Sequence, residues 1–165
     1  MALYIILMIL PFQVTMVSSY LVMDRLKLVN THWSIILPGI FSTFPVFMME
    51  RFFRGIHESL LESARMDGAG ELRIFFQIGL PMGFPGLASS LLLGFFEYWN
   101  AIEQPLIFLK DKSKWPLSLF LPNINPEKAA LSFCASAVAM MPPVLLFFMG
   151  QGYLEEGIAA SGIKE

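Results

Sequence analysis

The chain has 165 residues, of which 56% are hydrophobic and only 15% charged, and its mean hydropathy is +0.64. Soluble domains carry about 25% charged residues, so the composition points to a polytopic membrane protein. A net charge of -2 with no run of Lys or Arg argues against nucleic acid as a partner. The one cysteine, Cys134, rules out an intrachain disulfide and argues against a Cys/His metal centre.

The first predicted element is a membrane helix over residues 2–23. It lacks the basic start of a secretory signal and its apolar run exceeds a signal's usual core, so it is expected to be retained. Pro11 should kink it, and Gln13, Thr15, Ser18 and Ser19 need partners on neighbouring helices, because unpaired polar groups are costly in lipid. A polar connection, Asp24 to His32, leads to Trp33 and a second span over residues 34–50. Pro38, Gly39 and Pro45 should make that span irregular.

A charged stretch follows, from Glu50 to Pro81, holding 9 of the 24 charged residues. Ile56, Leu60 and Ala64 recur at helical spacing, with Leu61 widening the stripe, so a first amphipathic helix is predicted from Arg54 or Gly55 to Met66. Asp67 is expected to cap a second helix, Gly68 to take a conformation closed to other residues, and Glu71 to sit in that helix's first turn. Pro81 should end the pattern and return the chain to the membrane.

A third span is predicted over residues 82–99, where Gly83, Gly86, Ala88, Ser89, Ser90 and Gly94 allow another helix to come close and Tyr98 and Trp99 mark the interface. Residues 100–128 read as a surface loop with an interfacial turn or two. A fourth span over residues 129–150 carries the small-residue row Ser132, Ala135, Ser136 and Ala139, with Cys134 as a packing residue and kinks at Pro142 and Pro143. A polar tail, Gln151 to Glu165, closes the chain. The expected fold class is therefore all-α: one transmembrane domain over residues 1–165, with about four spans and a helical loop at 51–81. Lys and Arg are divided five to six between the two sides, so charge does not set the orientation.

Few residues invite a chemical reading. Glu62 and Asp67, five apart, diverge on a helix and have no His or metal-ligand cluster beside them, so no catalytic residue, metal or cofactor is expected. His32 and His57 are isolated. No GxxxxGK[ST] loop occurs, so ATP is not bound that way by this chain. Asn100, Glu103 and Gln104 can hydrogen-bond a sugar or simply face solvent, and the substrate contacts stay undefined.

Glu62, Ser63, Ala64, then Gly68, then Ile78, Gly79, Leu80 and Pro81 resemble the EAA motif, E-A-A-x3-G-x9-I-x-L-P, of permease subunits of ABC importers. Ser63 replaces the motif's second Ala. The flanks MILPFQV, LVNTHWSIILP, EYWNAIEQPLIFL and GYLEEGIAASGIK are similar to the maltose-type, carbohydrate-uptake branch of that family. The resemblance implies that residues 54–78 form cytoplasmic coupling helices seated on an ATPase subunit, with Glu62, Ser63, Ala64, Asp67, Gly68, Ile78, Leu80 and Pro81 as the docking residues. It also implies a bacterial cell-membrane location with the C-terminus cytoplasmic. The implied partners are a second permease subunit, cytoplasmic ATP-binding subunits, an extracytoplasmic solute-binding protein and membrane lipid. Such permeases usually have six spans, so the first two are expected to be missing here. Two other readings stay open: a secondary transporter or channel, motivated by Gln13 and Glu97, and a truncated membrane protein that does not transport.

Overall fold

In a computed structural model, residues 9–121 and 129–161 are described, and among them there is no strand. The expected all-α class holds. Proline and positive-φ residues set the first boundaries. Pro11, extended at φ -67° and ψ 149°, precedes α1 (Phe12–Arg25). Ile9 is helical, Leu10 is a bend and Pro11 opens α1, so the helical path breaks at the proline, as suits a residue with no N–H to give and a neighbour pushed out of the helical region. Residues 2–8 of the predicted first span lie outside the described residues. After α1 the chain turns through Lys27 and Asn30, both at positive φ (58° and 64°).

Trp33–Ile40 forms α2, with Pro38 inside it, and Thr43–Arg54 forms α3. The expected irregularity of the second span is the break between them. Glu58–Met66 is α4, and Glu71–Ile74 is α5. A π-helical turn, Phe75–Gly79, then joins α5 directly to α6 (Leu80–Trp99).

Pro81 does not end this helix, contrary to the sequence expectation. A proline ring clashes with the carbonyl four residues back, here Gln77. That carbonyl lies in the π turn, where hydrogen bonds skip to the fifth residue.

Residues 100–121 are also more ordered than a surface loop. They form α7 (Glu103–Phe108), a 3₁₀ turn (Lys112–Lys114) and α8 (Leu117–Phe120), while residues 122–128 lie outside the described residues. The last helix, α9, runs from Ala129 to Ser161 with Pro142 and Pro143 inside it. The predicted polar tail is thus helical through Ser161, because Gln151 to Glu156 are mostly good helix formers. Residues 162–165 lie outside the described residues.

Among the described residues, three stretches are long and apolar enough to cross a membrane: Trp33–Arg54, Glu71–Trp99 and Ala129–Gly157. At 29 residues, each of the last two would extend about 43 Å, well beyond a hydrocarbon core of about 30 Å. Each therefore extends past the hydrocarbon core or tilts within it.

The chain divides into two compact units. One contains α3 to Gly94 of α6 and the end of α9 from Phe147. Small residues hold it together. Gly150 leaves room for Leu92, Gly157 for Ser89, and the Ser89 hydroxyl lies between the carbonyls of Pro85 and Tyr153. The other unit contains α1, α2, the end of α6 from Phe95, α7, α8 and α9 through Leu146.

The second unit's core is Phe108, Leu109 and Pro105, all fully buried and all in the segment that reads as a loop. Asn30 stitches that core to the turn after α1. Its N–H donates to the Phe108 carbonyl (2.8 Å), its Oδ1 accepts from the Lys110 and Asp111 N–H groups (3.0 and 2.9 Å), and its carbonyl accepts from Lys114 Nζ (2.8 Å). The row Ser132, Ala135, Ser136 and Ala139 is half-buried, whereas Cys134 is exposed on α9 and is not the packing residue expected.

Candidate docking element

Residues 55–81 lie entirely within the first unit. Helix α3 closes with an Arg54–Glu50 ion pair one turn apart (2.6 Å), and the chain leaves it through Gly55 and Ile56. His57, extended at ψ 129°, precedes α4, and its side chain makes no capping hydrogen bond. The predicted start at Arg54 or Gly55 is therefore too early. Leu61 and Ala64, one turn apart, form the more covered side of α4, while Glu62, Ser63, Arg65 and Met66 are exposed. Leu60 was expected on the inner stripe but is exposed as well.

The end of α4 explains the motif spacing. The Ala69 N–H donates to the Ala64 carbonyl (3.0 Å), the Gly68 N–H donates to the Arg65 carbonyl (3.0 Å), and Gly68 has φ +80°. This is a Schellman cap, with the glycine at the one position that needs a left-handed backbone. Ala64 and Gly68 are thus two ends of one hydrogen-bonded device. Asp67 turns out to be the C-cap of α4, and Gly70 precedes α5. The Schellman pattern leaves Asp67 in the helix that ends, so it cannot open the next.

Across the turn, Arg65 makes a two-point contact with Glu71 (2.8 and 3.4 Å). Both side chains are well exposed, so the pair spans the turn but contributes little to stability. Ser63 Oγ donates to the Leu60 carbonyl (3.0 Å), so the hydroxyl that replaces the motif's alanine is satisfied locally. Glu62 takes no hydrogen bond from any described residue and faces outward.

Ile78, Leu80 and Pro81 stand apart from that turn, on the continuous helix, with Ile78 and Leu80 half-buried and Pro81 exposed. Between the two clusters lies a surface that this chain does not cover. Met66 is 88% exposed, Leu72 76% and Phe76 61%. Large apolar side chains beside Glu62, Asp67 and Arg73 give an amphipathic face suited to a protein partner. Sequence reasoning missed Phe52 and Phe53, which pack on α6. Their signal was the glycine spacing 79, 83, 86, whose partner on α3 could not be read from sequence.

The polar residues weighed as substrate contacts are mostly engaged. Asn100 Nδ2 donates to the Phe96 carbonyl (2.8 Å), and Gln13 Nε2 donates to both Glu103 oxygens (2.9 and 3.2 Å). A cavity of 470 Å3 beside α2 has Tyr98 as its one polar lining side chain. That is poor chemistry for a polyol. Among the described residues no cluster of His, Cys, Asp or Glu could hold a metal ion.

The turn carrying the spaced motif thus lies between two of the stretches long and apolar enough to cross a membrane, Trp33–Arg54 and Glu71–Trp99. Residues 1–160 match the family described as binding-protein-dependent transport system inner membrane component. This chain belongs to that family. Among its relatives is the arabinooligosaccharides transport system permease protein AraQ of Bacillus subtilis, 32% identical over 98% of this chain and 59% of the relative. The melibiose/raffinose/stachyose import permease protein MelC of the same organism is 33% identical over 99% of this chain and 61% of its own length. The polygalacturonan/rhamnogalacturonan transport system permease protein YtcP is 27% identical over 98% of this chain and 63% of its own length. The chain thus spans about six-tenths of the length of the curated relatives it matches.

Proposed function

We propose that this chain is a permease subunit of an ATP-driven carbohydrate importer and forms part of the translocation path. Its docking face is the α4–α5 turn, through Glu62, Ser63, Ala64, Asp67 and Gly68, with Ile78, Leu80 and Pro81 carrying movement into the third span. A cytoplasmic ATP-binding subunit receives that face and hydrolyses the ATP. This chain is not itself an enzyme. A second permease subunit completes the path, and an extracytoplasmic solute-binding protein delivers the sugar. The docking turn and the C-terminus are cytoplasmic in this reading.

The observation that carries it is the self-capped turn. Gly68 and Ala64 stiffen the end of α4, and the apolar side chains of Met66, Leu72 and Phe76 around it are left exposed beside Glu62, which takes no hydrogen bond from any described residue. A stiff amphipathic helix laid in a groove can transmit force, because it does not dissipate the push by bending. The carbohydrate class rests on the names of the relatives. Co-expression with the cognate ATP-binding subunit, followed by affinity capture, tests the docking. Glu62→Ala and Gly68→Pro are each expected to reduce the captured subunit, and undiminished capture in both variants sinks the reading.

A further inference from the structure

Three glycines on the helix that follows the docking turn receive two phenylalanines from the helix that precedes it. A Cβ built on Gly79 would lie 3.7 Å from the Phe53 ring, and one on Gly83 would lie 3.0 Å from it. A Cβ on Gly86 would overlap the Phe52 ring, falling 2.5 Å from its Cγ. All three glycines are buried. Met49 reaches the same row, at 3.6 Å from the Cβ position of Gly83, and Phe75 tilts against Phe53 with ring centroids 6.1 Å apart. Small residues in a row let a neighbouring helix come closer than ordinary side chains allow, and here aromatic rings fill the groove so formed.

The consequence concerns the turn between them. Residues 55–78 loop out of α3 one residue after Phe53 and return at Gly79, the first glycine of the row. The loop is closed at its base by these ring contacts and braced across its tip by Arg65–Glu71. A push on α4 can then either bend the base or move α3 and α6 together. Close packing of rings against backbone favours the second, because interdigitated side chains deform little.

We propose that Phe52 and Phe53 are positioning residues which lock α3 to α6, so that the docking turn and its two flanking helices move as one body during transport. The inference rests on the docking reading above and adds the element that carries the motion away from the docking face.

The test uses the full importer, with all partner subunits, in proteoliposomes, and reads solute uptake and ATP hydrolysis together. Phe52→Ala and Phe53→Ala are expected to lower uptake per ATP hydrolysed by about 2- to 30-fold while capture of the ATP-binding subunit persists. Phe52→Leu should recover most of the ratio. An unchanged ratio with intact capture overturns the lock.

Should the alanine variants fail to assemble, a Phe52→Cys, Gly86→Cys pair in a Cys134→Ser background supplies the second reading. A Cβ built on Gly86 falls 2.5 Å from Phe52 Cγ, one bond from Phe52 Cβ, so the two cysteine Cβ atoms would be within disulfide reach. Uptake that survives oxidation of the pair supports one rigid body. Uptake lost on oxidation and regained on reduction overturns it, since the helices must then move against each other. Failure of the docking reading shows elsewhere, as undiminished capture by Glu62→Ala and Gly68→Pro.

Discussion

Gly68 is where one residue decides the shape of the docking turn. Its φ of +80° is costly for any residue with a Cβ, yet a Cβ there would meet nothing within 4 Å. Gly68→Ala should therefore destabilise through backbone strain alone, by about 1–2 kcal/mol. Gly70 is the matched control, because it too has no neighbour within 4 Å but sits at φ -72°. Gly70→Ala is expected to stay within about 0.5 kcal/mol of wild type. Thermal unfolding of the two variants in detergent separates strain from contact, and equal losses would contradict the cap.

Asp111 offers a second single-residue test, on the turn after α7. Its carboxylate accepts the Ser113 backbone N–H (3.0 Å), and that hydrogen bond, with Lys114 nearby, holds its pKa below the usual aspartate value. A depressed carboxylate contributes stability that is fully present above the unfolded value and is lost as pH falls through the lower folded value. The 3₁₀ turn should therefore loosen only in acid, below the ordinary aspartate pKa. Trp115 follows that turn and has the Lys112 ammonium over its ring at 5.4 Å, so its fluorescence should report the change. Asp111→Asn keeps the acceptor without the titration and is expected to flatten that acid step. An unaltered step in the variant would assign it to another group.

Among the helices, α6 separates what was legible in the sequence from what was not. Its glycines announced close approach, and the prolines announced breaks, but neither says which neighbour arrives. Gly86 meets Phe52, whereas Gly94, on the same helix, meets nothing within 4 Å. Gly94→Ala should be neutral or stabilising by up to about 1 kcal/mol, through helix propensity. Gly86→Ala should cost about 1–3 kcal/mol, through overpacking.

The same distinction explains the two largest departures from expectation. Pro81 passes through a helix because a π turn before it shifts the carbonyl that its ring would strike, a register that no local propensity encodes. Residues 100–121 look like a loop because Lys, Asp and Pro interrupt their apolar runs, yet Phe108 and Leu109 are buried. Distant residues hold that segment: the Asn30 side chain accepts from the backbone of Lys110 and Asp111, and the Tyr20 ring lies 6.0 Å from that of Phe108. Gly68 and the Leu61–Ala64 side of α4 could be read directly because cap and periodicity are local, whereas Leu60 is exposed and Ile56 precedes the helix. Asp67 was misplaced by one helix because a capping residue can end one helix or begin the next, and only the Ala69 to Ala64 hydrogen bond decides.

On the proposed reading the driving force for uptake belongs to the assembled importer, and the Gln13–Glu103 pair offers a test of it. A carrier driven by an ion gradient needs an ionisable group along its path, and Gln13, one of the two residues that motivate that reading, is hydrogen-bonded to the carboxylate of Glu103. An ATP-driven importer needs no such charge at this pair. Glu103→Gln keeps an acceptor for Gln13 Nε2 and removes the charge, so it should preserve uptake by the ATP-driven route and abolish it by the ion-driven one. Glu103→Ala leaves the amide without its partner and should lower uptake by either route, which makes it the check that the pair matters. In proteoliposomes holding the complete system, uptake with Glu103→Gln is expected to remain near wild type, to stop on ATP depletion and to continue when the proton gradient is collapsed. Uptake that survives without ATP and fails with the gradient would transfer the energetics from the docking turn to this pair.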